Sequence, residues 1–229
     1  MLSQKGQGLI RCRPRGVGNP HSGLPASPLF LEKFDTGVGY DLSGWTENLN
    51  AGIINEDYVG IILDGTQSLR LVTAGGTTWF QRGVTATNHI WMFFNIQFTT
   101  LSIGEKSIIE FQTAVSAVLG KVVASTAGLK AYANGGTSGV TLDVVTTGVK
   151  YWVWVEFDNS GASTLCNVGF STNGVRPTSG NKYKASSGPL NATACEIVAV
   201  GVAGSDFGTD VEFIYDYVLA DDAQIGDNP

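Results

Sequence analysis

One stretch limits the folds open to this chain more than any other: residues 89–100, HIWMFFNIQFTT. Ile90, Met92, Phe94, Ile96 and Phe98 recur at every second position, with Asn95 and Gln97 between them. A period of two turns one face of an extended strand toward a core and the other away. A helix cannot gather that set on one stripe, because its neighbouring positions lie three and four residues apart. Two further runs repeat the pattern. In 150–158, KYWVWVEFD, the residues Tyr151, Val153, Val155 and Phe157 share one face, while Trp152, Trp154, Glu156 and Asp158 share the other. In 211–219, VEFIYDYVL, Phe213, Tyr215, Tyr217 and Leu219 fall in register. Aromatic and β-branched side chains favour strands in all three.

Shorter strand-like runs fill the intervals: FLEKF at 30–34, YVGIIL at 58–63, SLRLV at 68–72, TWFQR at 78–82 and SIIEFQTA at 107–114. LKAYA at 129–133, VTLDVV at 140–145, TLCNVGFS at 164–171 and EIVAVGVA at 196–203 follow. Gly-Thr, Gly-Gly and Ser-Gly clusters between them read as turns. The Ala- and Val-rich stretch 115–127 could pass for a helix, but Gly120 and its β-branched neighbours favour a strand with its hairpin. A dozen or more antiparallel strands in one chain must form two packed sheets, so an all-β sandwich is expected.

Residues 1–28 break from this pattern. They carry Lys5, Arg11, Arg13 and Arg15 and no acidic residue, leaving ten Lys/Arg against twenty Asp/Glu in residues 29–229. Four prolines and five glycines bar them from a helix or a central strand, and alone such a segment is expected to lack fixed structure. The division expected is an extended basic arm, 1–28, and one sandwich domain, 29–229. Arg11, Arg13 and Arg15 stand at alternate positions, so an extended arm would project them to one side, toward carboxylates of a protein partner. A pI near 4.8 argues against nucleic acid as partner of the main domain. No apolar run reaches the ~20 residues that span a bilayer, and Leu9-Ile10 is too short for the core of a secretory signal. Folding in a cytoplasm is the expectation. Cys12, Cys166 and Cys195 are too scattered for a disulfide framework or a zinc site, and the last two read as small buried hydrophobes.

The order of landmarks resembles the concanavalin A-like lectin/glucanase jelly roll, in the laminin-G-like form met in tailed-bacteriophage structural proteins. Phe34-Asp35-Thr36-Gly37 followed by Asp41-Leu42-Ser43-Gly44-Trp45 is similar to that family's opening strand and turn. Gly65-Thr66-Gln67-Ser68-Leu69-Arg70-Leu71, Gly148-Val149-Lys150-Tyr151-Trp152 and the closing Phe213-Ile214-Tyr215-Asp216-Tyr217-Val218-Leu219 match later strands. The resemblance covers roughly residues 29–222 and implies a two-sheet antiparallel jelly-roll sandwich, with an extended N-terminal arm.

Catalytic signatures are missing. Glucanases of this fold use an E-x-D-x-x-E strand; Glu156-Phe157-Asp158 supplies two carboxylates and Gly161 stands at the third position. Only His21 and His89 are present, with no nucleophile elbow and no phosphate loop. No cofactor is expected. Calcium would find oxygen donors in Asp206, Asp210, Asp216, Asp221 and Asp222, without a twelve-residue calcium loop. Trp152 and Trp154 with Glu156 and Asp158 could stack a sugar ring and bond its hydroxyls, or the two indoles could lie between the sheets or pack under a loop or a neighbouring subunit.

Two functional expectations follow. The first is a non-enzymatic virion structural protein, a capsid decoration or cement protein anchored by its arm to a viral capsid or tail protein. It would be assembled in the host cytoplasm and homo-oligomeric on the particle. The alternative is a carbohydrate-binding module for host adhesion or receptor binding, carried on the virion. Neither involves nucleic acid or a membrane.

Overall fold

The computed structural model describes residues 28–35, 44–133, 138–203, 209–227 and 229. Lys5, Arg11, Arg13 and Arg15 of the arm, together with Asp206, lie outside the described residues. Fifteen strands follow along the chain: β1 Phe30–Glu32, β2 Thr46–Leu49, β3 Ile53–Tyr58, β4 Ser68–Val72, β5 Thr78–Thr87, β6 His89–Thr100, β7 Lys106–Gln112, β8 Val118–Ser125, β9 Gly128–Ala133, β10 Ser138–Thr141, β11 Lys150–Asp158, β12 Ser163–Ser171, β13 Tyr183–Pro189, β14 Cys195–Val202 and β15 Glu212–Asp221. No helix occurs among the described residues.

The strands form two antiparallel sheets. One runs β13-β12-β11-β6-β15-β4-β3, with β1 also paired to β15; the other runs β10-β9-β8-β7-β14-β5-β2. Each sheet draws strands from both halves of the chain, as a jelly roll does. The three alternating runs seen in the sequence, β11, β6 and β15, lie side by side at the centre of the eight-stranded sheet. Their inward residues, Ile90, Met92, Phe94, Ile96, Val153, Val155 and Phe157 among them, are fully buried. They meet Ile109, Phe111, Val122, Val198 and Val200 of the opposing sheet, and Phe111 stacks on Phe157 at 5.1 Å. Each such side chain contributes roughly 1.5–3 kcal/mol by leaving water. Tyr215 also points inward, and its hydroxyl donates to the Ile108 carbonyl at 3.1 Å, so this buried polar group is satisfied.

Three sequence expectations need correction. Tyr217 and Leu219 do not share a face with Phe213 and Tyr215. β15 carries one extra residue between Asp216 and Leu219 relative to β6, and Tyr217 takes a φ of 52°. This bulge turns Tyr217 and Leu219 outward and puts Val218 and Ala220 in the core. The run 58–63 is a loop, not a strand: the strand is β3, just before it, while Val59 and Ile62 stay exposed. Of the run 140–145 only Val140 and Thr141, the end of β10, pair in the sheet. The stretch 115–127 does hold a strand, β8, and Cys166 and Cys195 are free, buried thiols whose pKa burial pushes up to about 12.

Candidate functional site

The outward face of the eight-stranded sheet collects the polar and aromatic residues that the alternation excludes from the core. β11 and β6 pair so that Asp158 faces His89, Glu156 faces Trp91, Trp154 faces Phe93 and Trp152 faces Asn95. On the other side, β12 sets Asn167 beside Glu156, Gly169 beside Trp154 and Ser171 beside Trp152. Alternate residues of a strand lie about 6.6–6.8 Å apart, so these residues form four successive rows across the face.

The first two rows are polar. His89 Nε2 lies 2.9 Å from Glu156 Oε1, and the Asn167 amide donates to Glu156 Oε2 at 2.8 Å. Asp158 Oδ1 accepts from the Ser160 backbone N–H at 2.8 Å and from its hydroxyl at 2.6 Å. Partial burial pushes the Asp158 pKa upward, but those two Ser160 bonds and the nearby imidazole outweigh it and hold the carboxyl below its ordinary value. His89, Glu156 and Asp158 bring one nitrogen and two oxygen donors within 4.8 Å of one another, a set that could hold a divalent cation. None of the three is fully buried. Asp210, Asp216, Asp221 and Asp222 do not converge among the described residues. Asp210 accepts from the Gly75 N–H, and Asp216 is buried in β15, accepting from Ser68, the Asp64 N–H and the Tyr217 N–H.

The middle of the face is aromatic. Trp91, Phe93, Trp154, Tyr217 and Leu219 form a cluster of their own, separate from the core. Phe93 lies 5.2 Å from Trp154 and 5.9 Å from Tyr217 between ring centres, and the Arg176 guanidinium sits 4.4 Å above Trp91. Residues after β15 fold back over this cluster. Ile225 is fully buried in it, and the Trp154 indole N–H donates to the Gly226 carbonyl at 3.1 Å. Arg176 fastens the same segment: its backbone N–H donates to Asp227 Oδ1 at 2.8 Å and its guanidinium to the Ile225 carbonyl at 3.4 Å. A Cβ on Gly169 would stand 3.1 Å from Pro177, so that glycine lets the loop bearing Arg176 lie close on β12.

Of the four residues singled out from the sequence, Glu156 and Asp158 come together with His89 at one end of the face. Trp152 stands at the other end, half-buried, with the Lys150 ammonium 4.4 Å over its ring. Trp154 lies between them at 1% exposure and offers no open ring face to a ligand while residues 225–227 cover it. The sequence reading set His89 aside and passed over Trp91, Asn167 and Arg176. The alternation within HIW already puts His89 and Trp91 on the face opposite Ile90, but their partners follow only from the pairing of β6 with β11. Several buried polar atoms of this face, Asn95 Oδ1, Thr99 Oγ1, Asn167 Oδ1, Ser171 Oγ and Asp221 Oδ2, make no hydrogen bond among the described residues. No pocket forms among the described residues.

No protein-family model matches the chain, and no curated sequence matches it. Solved structures do share its fold. A sialidase is 13% identical with a TM-score of 0.62, covering 84% of this chain but only 18% of its own. The cellulose-induced protein Cip1 is 11% identical with a TM-score of 0.64, covering 86% of this chain and 99% of its own. The lectin UEA-II, solved in complex with galactose, is 9% identical with a TM-score of 0.50, covering 85% and 100%. At these identities the likeness is one of fold: the chain is a two-sheet antiparallel jelly-roll sandwich.

Proposed function

We propose that this domain is a non-enzymatic carbohydrate-binding module that binds through the outward face of its eight-stranded sheet. The observation that carries the reading is the row from Trp152 to Asp158. One strand face offers a half-buried indole at one end and a His-Glu-Asp group at the other. Sugars present C–H faces that pack on aromatic rings and hydroxyls that donate to carboxylates, the two kinds of group present here. Bonds to an ionised carboxylate contribute roughly 1.5–3 kcal/mol each, and a carboxylate oxygen already bonded once can still accept a sugar hydroxyl on its second lone pair. Kinship of fold with a lectin, a sialidase and a cellulose-induced protein supports the same class of ligand. Catalysis has weaker support: both Glu156 oxygens are already engaged, and no third carboxylate follows on β11.

A printed glycan array tests this. Binding is expected for the full chain, to be lost in Trp152→Ala and in Glu156→Ala, with bound glycans recovered at unchanged mass. Cleaved glycan would make the protein an enzyme, and binding indifferent to both substitutions would move the site elsewhere.

The charge contrast between residues 1–28 and the domain favours a second role, in which a virion displays the module and the arm holds it to a capsid or tail protein. Deletion of residues 2–28 is then expected to leave a folded domain that no longer joins the particle; continued incorporation would reject the anchor.

A further inference from the structure

We infer that residues 223–227 form a strap across the middle of the carbohydrate face, and that longer glycans bind by displacing it. The inference rests on the carbohydrate reading above and adds to it a mechanism of length selection.

Along β11 the outward residues alternate in accessibility. Trp152 is half-buried, Trp154 is covered, and Glu156 and Asp158 are partly open again. From Trp152 to Asp158 is six residues, about 20 Å of strand, a span for several linked sugar rings. The strap interrupts that span at Trp154. Its described contacts are few: one apolar side chain, Ile225, one indole bond to Gly226, the Ala223 N–H on Asp221, and the Arg176 contacts to Ile225 and Asp227, with the Gln224 amide oxygen facing the same guanidinium and Pro229 buried beyond it. None of these is a strand-ladder bond; the paired backbone of β15 ends at Asp221.

What lies beneath is suited to a ligand. Four aromatic rings, Trp91, Phe93, Trp154 and Tyr217, cluster on an outer sheet face, where a single-faced sheet ordinarily carries solvated side chains. The register sets Asn95, Asn167, Ser171 and Asp221 around them, each with a buried polar atom that makes no hydrogen bond among the described residues. Buried polar groups are almost always satisfied, so this many around one patch point to a second occupant that supplies partners. A glycan chain does so: its rings cover the indoles and its hydroxyls meet the amides and the carboxylate.

Short and long ligands then behave differently. A monosaccharide fits at either open end and leaves the strap in place, whereas an oligosaccharide needs the middle. If the strap is closed in nine molecules of ten, opening it fully raises oligosaccharide affinity about tenfold and leaves monosaccharide affinity unchanged.

The test uses the full chain and the double variant Ile225→Asn/Asp227→Ala on a printed array of mono- to hexasaccharides, neutral and acidic. The expected result is about tenfold stronger binding of penta- and hexasaccharides by the variant, with equal binding of monosaccharides. Equal binding at every length by two folded proteins overturns the strap and leaves the carbohydrate reading standing. Absence of binding by both overturns the reading and the strap with it. Native-state hydrogen exchange on the unmodified chain covers the case in which the variant misfolds. The Ala223 amide, bonded to Asp221, and the Trp154 indole N–H, bonded to Gly226, should exchange by local opening; exchange only through global unfolding would overturn the inference.

Discussion

The two faces of the eight-stranded sheet are both rich in aromatic residues, yet they are built on different terms. The inward face joins one continuous apolar core, and the hydroxyl of its buried Tyr215 has a partner. The outward face buries a smaller cluster beneath a short segment, and several of its polar atoms have no partner among the described residues. Removing water from the first is its function, since interdigitated apolar side chains stabilise the fold and bind nothing. The second has buried polar atoms without partners among the described residues, which costs stability, and it is the side of the sheet proposed here to take a ligand.

This contrast can be broken at graded points. Phe94→Ala, in the fully buried core, is expected to destabilise the domain by about 3–5 kcal/mol in chemical denaturation. A loss near 1 kcal/mol would mean that the interior is less tightly packed than described.

Asp216 sits where the bulge divides the two faces. Burial raises its pKa from 3.8 to about 7, against hydrogen bonds from Ser68 and the Asp64 and Tyr217 N–H groups, with Asp35 adding to the rise. The folded protein therefore keeps a proton that the unfolded chain has already released above about pH 4. The sign follows: this group favours the folded state most below pH 4, and its contribution is lost as pH rises through 7, up to about 4 kcal/mol in all. Denaturation midpoints are expected to fall between pH 5 and pH 8, and Asp216→Asn should flatten that decline. An unchanged slope in the variant would assign the titration to another group.

The outer cluster should respond less. Ile225→Ala removes a fully buried side chain, an exchange that costs roughly 2–5 kcal/mol in a core. Because the strap can open alone, global stability is expected to drop by less than about 1 kcal/mol, while exchange at 223–227 accelerates. A core-sized loss would show that the strap is an integral part of the fold.

How much of this was legible in the chain depends on the distance over which each feature is determined. The alternation of Ile90 to Phe98 is local, and it correctly gave a strand, its inward face and the sandwich class. The alternation of Phe213 to Leu219 looks equally clear, yet the bulge at Tyr217 inverts its second half; an inserted residue leaves no mark on a pattern of apolar side chains. β13, with Lys184, Ser186 and Ser187, carries no apolar signal because it is an edge strand. The site was half visible. Glu156 and Asp158 stood out as neighbours on one face, but His89 is 67 residues from Glu156 and meets it only through the pairing of β6 with β11. Arg176 and the strap reach the face from a loop and from beyond the last strand, with no periodicity to announce them.

Ligand binding at the outward face of the eight-stranded sheet can be read from five signals. The chain has five tryptophans, and their indole N–H groups give separate resonances in a nitrogen-15 correlation spectrum. Trp91, Trp152 and Trp154 belong to the outward face, whereas Trp45 packs in the core and Trp79 lies on the other sheet. On titration with a hexasaccharide that binds on the array, the signals of Trp152, Trp154 and Trp91 are expected to shift together, with those of Trp45 and Trp79 unmoved. Shifts confined to Trp45 or Trp79, with the other three still, would contradict it.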